Sequence, residues 1–166
     1  ALSARYFEAR CLETLNRKEE AADLYVQVID AKNPNPFRED SRSAAASIFV
    51  AKGRKADALR QYEALANEAS KPALKAECAT RAGILALDLV QPDRGKIDKG
   101  MAEKAQALLQ KARALPEAGR WHGVAQAYLL RTFYKTGQLA QFIAEQKKVQ
   151  DQLPDDAKAE MLLLVA

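Results

Sequence analysis

His122 is the only histidine of the 166-residue chain, and it stands beside the only tryptophan, Trp121, in Gly119-Arg120-Trp121-His122. An imidazole serves as a general base when a second group holds it and a nucleophile faces it. No residue near His122 in the sequence supplies either role. It reads as a half-exposed residue at the start of a helix, and Trp121 reads as packing under the preceding hairpin. The two cysteines, Cys11 and Cys78, lie inside helical patterns with no cysteine or histidine close by. That excludes the usual local metal-ligand spacings and gives no sign of a disulfide. Both are expected to behave as small buried hydrophobes. The stretch DRGKIDKG, Asp93 to Gly100, superficially resembles a phosphate or calcium loop. It has the spacing of neither a Walker loop nor an EF-hand, and reads as a surface turn whose other use would be docking. No catalytic, metal or cofactor residue is therefore expected, and no small-molecule substrate.

With the chemistry of single residues so sparse, the elements that carry them become the subject. Apolar residues make up 48% of the chain and charged residues 29%, an ordinary balance for a folded soluble chain. Alanine is abundant, aromatics are few, and runs of β-branched residues are nearly absent. That composition favours closely packed helices over sheets. The net charge of +4 is mildly basic, but cations and anions are interspersed, as in NRKEEAAD, rather than gathered into a stripe for nucleic acid. No apolar run approaches the roughly 20 residues that span a bilayer. The chain opens without Met and both ends fall inside helical patterns, which reads as a piece of a longer protein.

Two stretches share one cadence: NRKEEAADLYVQVI from Asn16 and GRKADALRQYEAL from Gly53. Asn16 and Gly53, Ala21 and Ala58, Tyr25 and Tyr62, and Val28 and Leu65 are each 37 residues apart. A helix A closed by Asn or Gly in a left-handed cap, then a helix B with acidic residues in its first turn, accounts for the pattern. The small residue lets the helices approach, and the aromatic four positions on shares its face. Prolines in KNPNPF and SKP then break the chain. A third unit places helix A at Pro72–Leu89 and helix B at Met101–Leu115, with Ala105, Leu109 and Ala112 in the small, large, small places. Between them lies an enlarged turn, Val90–Gly100. A fourth takes Gly137 as its turn, Leu139 as the first apolar residue of helix B and Phe142 in the small place. Pro154 then opens a fifth helix A. The units run over residues 1–36, 37–71, 72–118 and 119–154, with a partial unit over 155–166.

These residues resemble tetratricopeptide repeats, whose unit is about 34 residues. The family's places are taken by Ala9, Leu12, Asn16, Glu20-Ala21, Tyr25 and Val28, then by Ala46, Phe49, Gly53, Asp57-Ala58, Tyr62 and Leu65. The fourth unit keeps Leu129, Phe133, Gly137, Leu139 and Pro154. The chain departs from the family in its 37-residue spacing, in lacking the early tryptophan in the first two units, and at Phe142. The resemblance implies an all-α fold of antiparallel helix hairpins stacked as a right-handed superhelix. It also implies a concave face built from the A helices.

On that basis the chain is expected to be a non-catalytic scaffold that binds a peptide or protein partner in the groove. The implied groove positions are Tyr6, Arg10 and Glu13; Ser43, Ser47 and Val50; Thr80, Ile84 and Leu87; and Ala127, Arg131, Tyr134 and Lys135. Arg10, Arg131 and Tyr134 lead, because Arg and Tyr are enriched at binding hot spots. No A helix contains asparagine, which argues against the clamp some members of the family close on a peptide carboxylate. A helical-repeat module for nucleic acid, or the assembly or regulatory arm of a larger enzyme, are the readings from other classes. Self-association is left open. The alanine-rich helices resemble bacterial members of the family, which work in the cytoplasm or at the periplasm and envelope.

Overall fold

The computed structural model describes residues 1–32, 34–90 and 97–150. Among these there are eight helices and no strand. They are α1 (Leu2–Thr14), α2 (Lys18–Ile29), α3 (Arg38–Ala51), α4 (Lys55–Glu68), α5 (Pro72–Leu89), α6 (Lys99–Ala114), α7 (Arg120–Lys135) and α8 (Leu139–Gln150). Each helix packs on the next one in the chain, and α5 also packs on α7. No helix among the described residues is long and apolar enough to cross a membrane. Asn33, most of the enlarged turn (91–96) and everything from 151 on, including Pro154 and the partial unit, lie outside the described residues.

Three hairpin turns among the described residues are built alike. Asn16, Gly53 and Gly137 hold φ of 60°, 71° and 71°. Only glycine, or asparagine at some cost, adopts that left-handed region readily. In each turn the amide of that residue reaches back three residues, to Glu13 O, Val50 O and Tyr134 O, and the next amide reaches back five: Arg17 N to Leu12 O, Arg54 N to Phe49 O and Gln138 N to Phe133 O, all at 2.8 Å. This double closure satisfies carbonyls that a helix end would otherwise leave bare. Glu19, Glu20 and Asp57 then sit in the first turns of α2 and α4, favoured there by the helix dipole. At α6 the expected start moves back from Met101 to Lys99, because the Asp98 carboxylate caps the helix by accepting from Met101 N at 3.0 Å.

Burial follows the 37-residue register. Ala21 and Ala58, Tyr25 and Tyr62, and Val28 and Leu65 are all buried, as are Ala105, Leu109 and Ala112 of α6. The A helices carry a second buried stripe. It is Ser41, Ala45 and Ile48 in α3, Cys78, Ala82 and Leu85 in α5, and Ala125, Leu129 and Thr132 in α7. Each of these helices has a hairpin before it to pack on. In α1 the same register is Ala4, Glu8 and Cys11, all exposed. The expectation that both cysteines are buried therefore holds for Cys78 and fails for Cys11. Cys11 stands on the end helix, with no preceding hairpin among the described residues to cover it.

Apolar packing dominates the cohesion. A fully buried leucine such as Leu65, Leu109 or Leu129 contributes about 2 kcal/mol. Ion pairs between hairpins, such as Lys52 with Glu19 at 3.2 Å and Lys55 with Asp88 at 2.8 Å, are about half exposed. Pairs of that kind contribute about 1 kcal/mol or less. One polar device joins the first two hairpins. The end of α2 is capped from α3, where the Arg38 guanidinium donates to Ile29 O at 3.1 Å and also to Ala31 O. Asn35 Nδ2 donates to Val28 O at 2.6 Å.

Candidate interaction face

The thirteen groove positions implied by the sequence fall on the A helices α1, α3, α5 and α7, in three registers and one extra residue. The first register is Tyr6, Ser43, Thr80 and Ala127, and it turns inward. Tyr6, Thr80 and Ala127 are buried and Ser43 is half-buried. The Tyr6 ring stacks on Phe37 at 4.6 Å and meets Tyr25 edge-on at 6.3 Å. Its hydroxyl lies 3.4 Å from Asp40 Oδ2. Tyr6 thus belongs to an aromatic seam between the first two hairpins, and not to an open surface.

The second register is Arg10, Ser47, Ile84 and Arg131. All but Ile84 are exposed, and Ile84 is half-buried. The third register is Glu13, Val50, Leu87 and Tyr134. Glu13, Val50 and Tyr134 are exposed, the latter two by 46% and 60%. Leu87 is buried. The face is therefore presented by α1, α3 and α7 and sinks at α5. The reason lies in the residues of α5. Ala79, Ala82, Gly83 and Ala86 are small and fully buried, so α6 and α7 both come close to its axis. Lys135 closes this junction, its ammonium donating to Leu87 O at 3.3 Å near the end of α5.

The charges on the face are unequal in their freedom. Glu13 accepts a hydrogen bond from Tyr25 Oη at 2.9 Å. Burial, and then this bond to Glu13, push the Tyr25 phenol well above its ordinary pKa. Arg10 and Arg131 make no ion pair among the described residues. By contrast Arg17, Arg54 and Arg60 are each paired with an acid three residues away. A guanidinium held out without a partner is suited to meet a carboxylate or phosphate.

The residues that could have done chemistry are placed otherwise. His122 is exposed, and its Nδ1 lies 3.1 Å from Arg113 O, a contact in which the ring donates. Trp121 is half-buried under Arg81, whose guanidinium carbon is 5.2 Å from the indole centroid and 5.9 Å from that of Tyr62. It packs on α5 as a cation–π partner. Near His122, Arg113 Nη1 donates to Glu145 Oε2 at 2.7 Å and Lys148 Nζ to Glu145 Oε1 at 3.0 Å. Burial alone would raise the Glu145 carboxyl, but these hydrogen bonds outweigh it and the net direction is down. The cluster ties α8 to α6, and His122 makes none of its bonds. Among the described residues no group of three His, Cys, Asp or Glu side chains gathers as metal ligands. Of the loop Asp93–Gly100, only its last four residues are described, and Asp98 serves as the α6 cap.

Sequence reading missed one exposed patch. Leu139 and Ile143 of α8 are 56% and 63% exposed. Register would have found it, since Ile143 lies at the place of Ala22 in α2 and Leu59 in α4.

Comparison with known proteins returns no match: no family model, no curated protein and no solved structure corresponds to this chain.

Proposed function

We propose that the chain is a non-catalytic interaction scaffold, a tetratricopeptide-like array that coils as a right-handed superhelix and binds a protein or peptide on its A-helix face. The observation that carries the reading is the pair of exposed registers, Arg10, Ser47 and Arg131 beside Glu13, Val50 and Tyr134, on three separate helices. Equivalent positions that stay exposed on three of the four A helices form a strip, interrupted at α5, that intramolecular packing leaves largely open. The strip offers unpaired guanidinium groups at Arg10 and Arg131, an apolar centre at Val50 and an aromatic anchor at Tyr134. That is the mixture expected of a protein contact surface. The interleaving of opposite charges, with Arg54 and Arg60 both on Asp57, speaks against a phosphate-tracking stripe.

The test is capture of partners from lysate of the source organism on immobilised chain, followed by affinity measurement with the purified partner. Arg131→Glu with Tyr134→Ala is expected to weaken a specific partner at least tenfold. Arg60→Glu, on the outer side of α4, is expected to leave it unchanged. Equal affinity for all three proteins would refute the assignment of the face.

A further inference from the structure

The acids of the A helices are engaged within the fold, whereas the cations of the exposed strip are not. Glu13 accepts from Tyr25 Oη at 2.9 Å, and Asp40 Oδ2 lies 3.4 Å from Tyr6 Oη. Glu39 accepts from Ser70 N at 2.6 Å. Glu77 pairs with Arg81 at 2.9 Å, and Asp88 with Lys55 at 2.8 Å. The acid left over is Glu8, and it belongs with Ala4 and Cys11 to the outer stripe of α1, not to the strip. Helix α7 contains no acid at all, yet carries Arg120, Arg131 and Lys135. Arg10 and Arg131 make no ion pair and no side-chain hydrogen bond among the described residues. Lys135 donates to Leu87 O, a neutral carbonyl that leaves the ammonium charge uncompensated.

We infer that the partner of the strip is an acidic peptide segment, an inference that rests on the A-helix strip being a docking face. A surface whose cations stay free while its acids are bound presents a positive field to solvent, and a partner of opposite charge is steered and oriented by it. Planar guanidinium groups match carboxylates through paired hydrogen bonds. Between its charged ends the strip carries no charge: the positions there are Ser47 and Val50 on α3 and Ile84 and Leu87 on α5. The segment that fits has carboxylates toward both ends and an apolar side chain between them. One carboxylate meets Arg10 on α1 and another meets Arg131 beside Lys135 on α7, while the apolar side chain lies over Val50. The uncharged middle also separates a peptide from a nucleic acid, whose regularly spaced phosphates call for cations along the whole track.

The experiment pans the immobilised 166-residue chain with a random dodecapeptide library joined through its C-terminal end to a phage coat protein, so that no terminal carboxylate is offered. Peptides rich in Asp and Glu around an apolar residue are expected to be enriched. For the best of them, made as a free amidated peptide, replacing its acids by Asn and Gln is expected to weaken binding at least tenfold. Arg10→Glu with Arg131→Glu is expected to reverse the selection toward Lys and Arg, because both side chains are exposed and the exchange leaves the core untouched. Enrichment of uncharged or basic peptides on the parent chain, or of none, would overturn the inference. So would tighter binding of a random-sequence RNA than of the acidic peptide, if the same two substitutions abolish it. The two levels fail differently. Basic or uncharged peptides that Arg131→Glu with Tyr134→Ala releases would remove the acidic partner and keep the docking face. Enriched peptides indifferent to that variant would remove the docking face and the inference with it.

Discussion

Gly83 of α5 meets Leu109 of α6 without room for a methyl group. A Cβ built on Gly83 would fall 2.6 Å from Leu109 Cγ and 2.8 Å from Cδ2. Leu109 is itself fully buried, so its side chain has nowhere to swing. This contact sets how closely the third hairpin closes, and with it the place where the A-helix strip sinks at Leu87.

Gly83→Ala therefore pits two effects against each other. Alanine gains about 1 kcal/mol of helix propensity over glycine, while overpacking a closed core costs about 1–3 kcal/mol. The crowding is expected to win, so the variant should unfold at lower denaturant than the parent. Adding Leu109→Ala should recover part of the crowding cost, giving a coupling between the two sites in a double-mutant cycle. Strict additivity would mean that the two residues do not share this contact.

The two thiols are expected to differ sharply in reactivity. Cys11 is exposed, whereas burial, with the nearby Glu77 charge adding to it, pushes the Cys78 thiol up to about 12. The reactive species is the thiolate. Titration of the native protein with a chromogenic disulfide at neutral pH should release one equivalent quickly. The second should appear only on adding denaturant, and Cys11→Ser should abolish the first. Two equally fast thiols would contradict the packing of α5.

Tyr25 supplies a pH dependence with a definite sign. An unfolded tyrosine ionises near pH ~10. In the folded chain, burial foremost and then the hydrogen bond to Glu13 raise that pKa. The stability from keeping the phenol neutral is complete below pH ~10 and falls as the pH climbs toward the folded value. Tyr25→Phe removes the hydrogen bond at a cost of about 1 kcal/mol at neutral pH. It should also make the alkaline loss of stability shallower above pH ~10. An identical slope in parent and variant, measured by denaturant titration, would count against the Tyr25–Glu13 pair.

The hairpins were legible in the sequence because their packing depends on small residues at fixed offsets. Ala21, Ala58 and Ala105 mark close approaches, and Asn16, Gly53 and Gly137 mark the turns. The helix expected at Pro72–Leu89 is observed with those bounds. Which side of an A helix is open was less legible, because it depends on neighbours distant in the chain. Tyr6 and Ser43 share a register with Thr80 and Ala127, yet the aromatic seam around Phe37 and the extra contact of α5 with α7 turn that register inward. The clue to the latter was present in Ala79, Ala82, Gly83 and Ala86, a run of small residues broad enough to receive two helices. Cys11 and Ile143 illustrate the remaining difficulty. Periodicity assigns each to an apolar stripe, but exposure is decided by whether another hairpin lies against that stripe.

The measurement that addresses the central claim most directly is a hydrogen-exchange footprint of the chain with and without a purified partner. Protection is predicted at the C-terminal halves of α1, α3 and α7, around Arg10–Glu13, Ser47–Val50 and Arg131–Tyr134, with α2 and α4 unchanged. Protection confined to α2 and α4, with those three segments unaltered, would contradict the account.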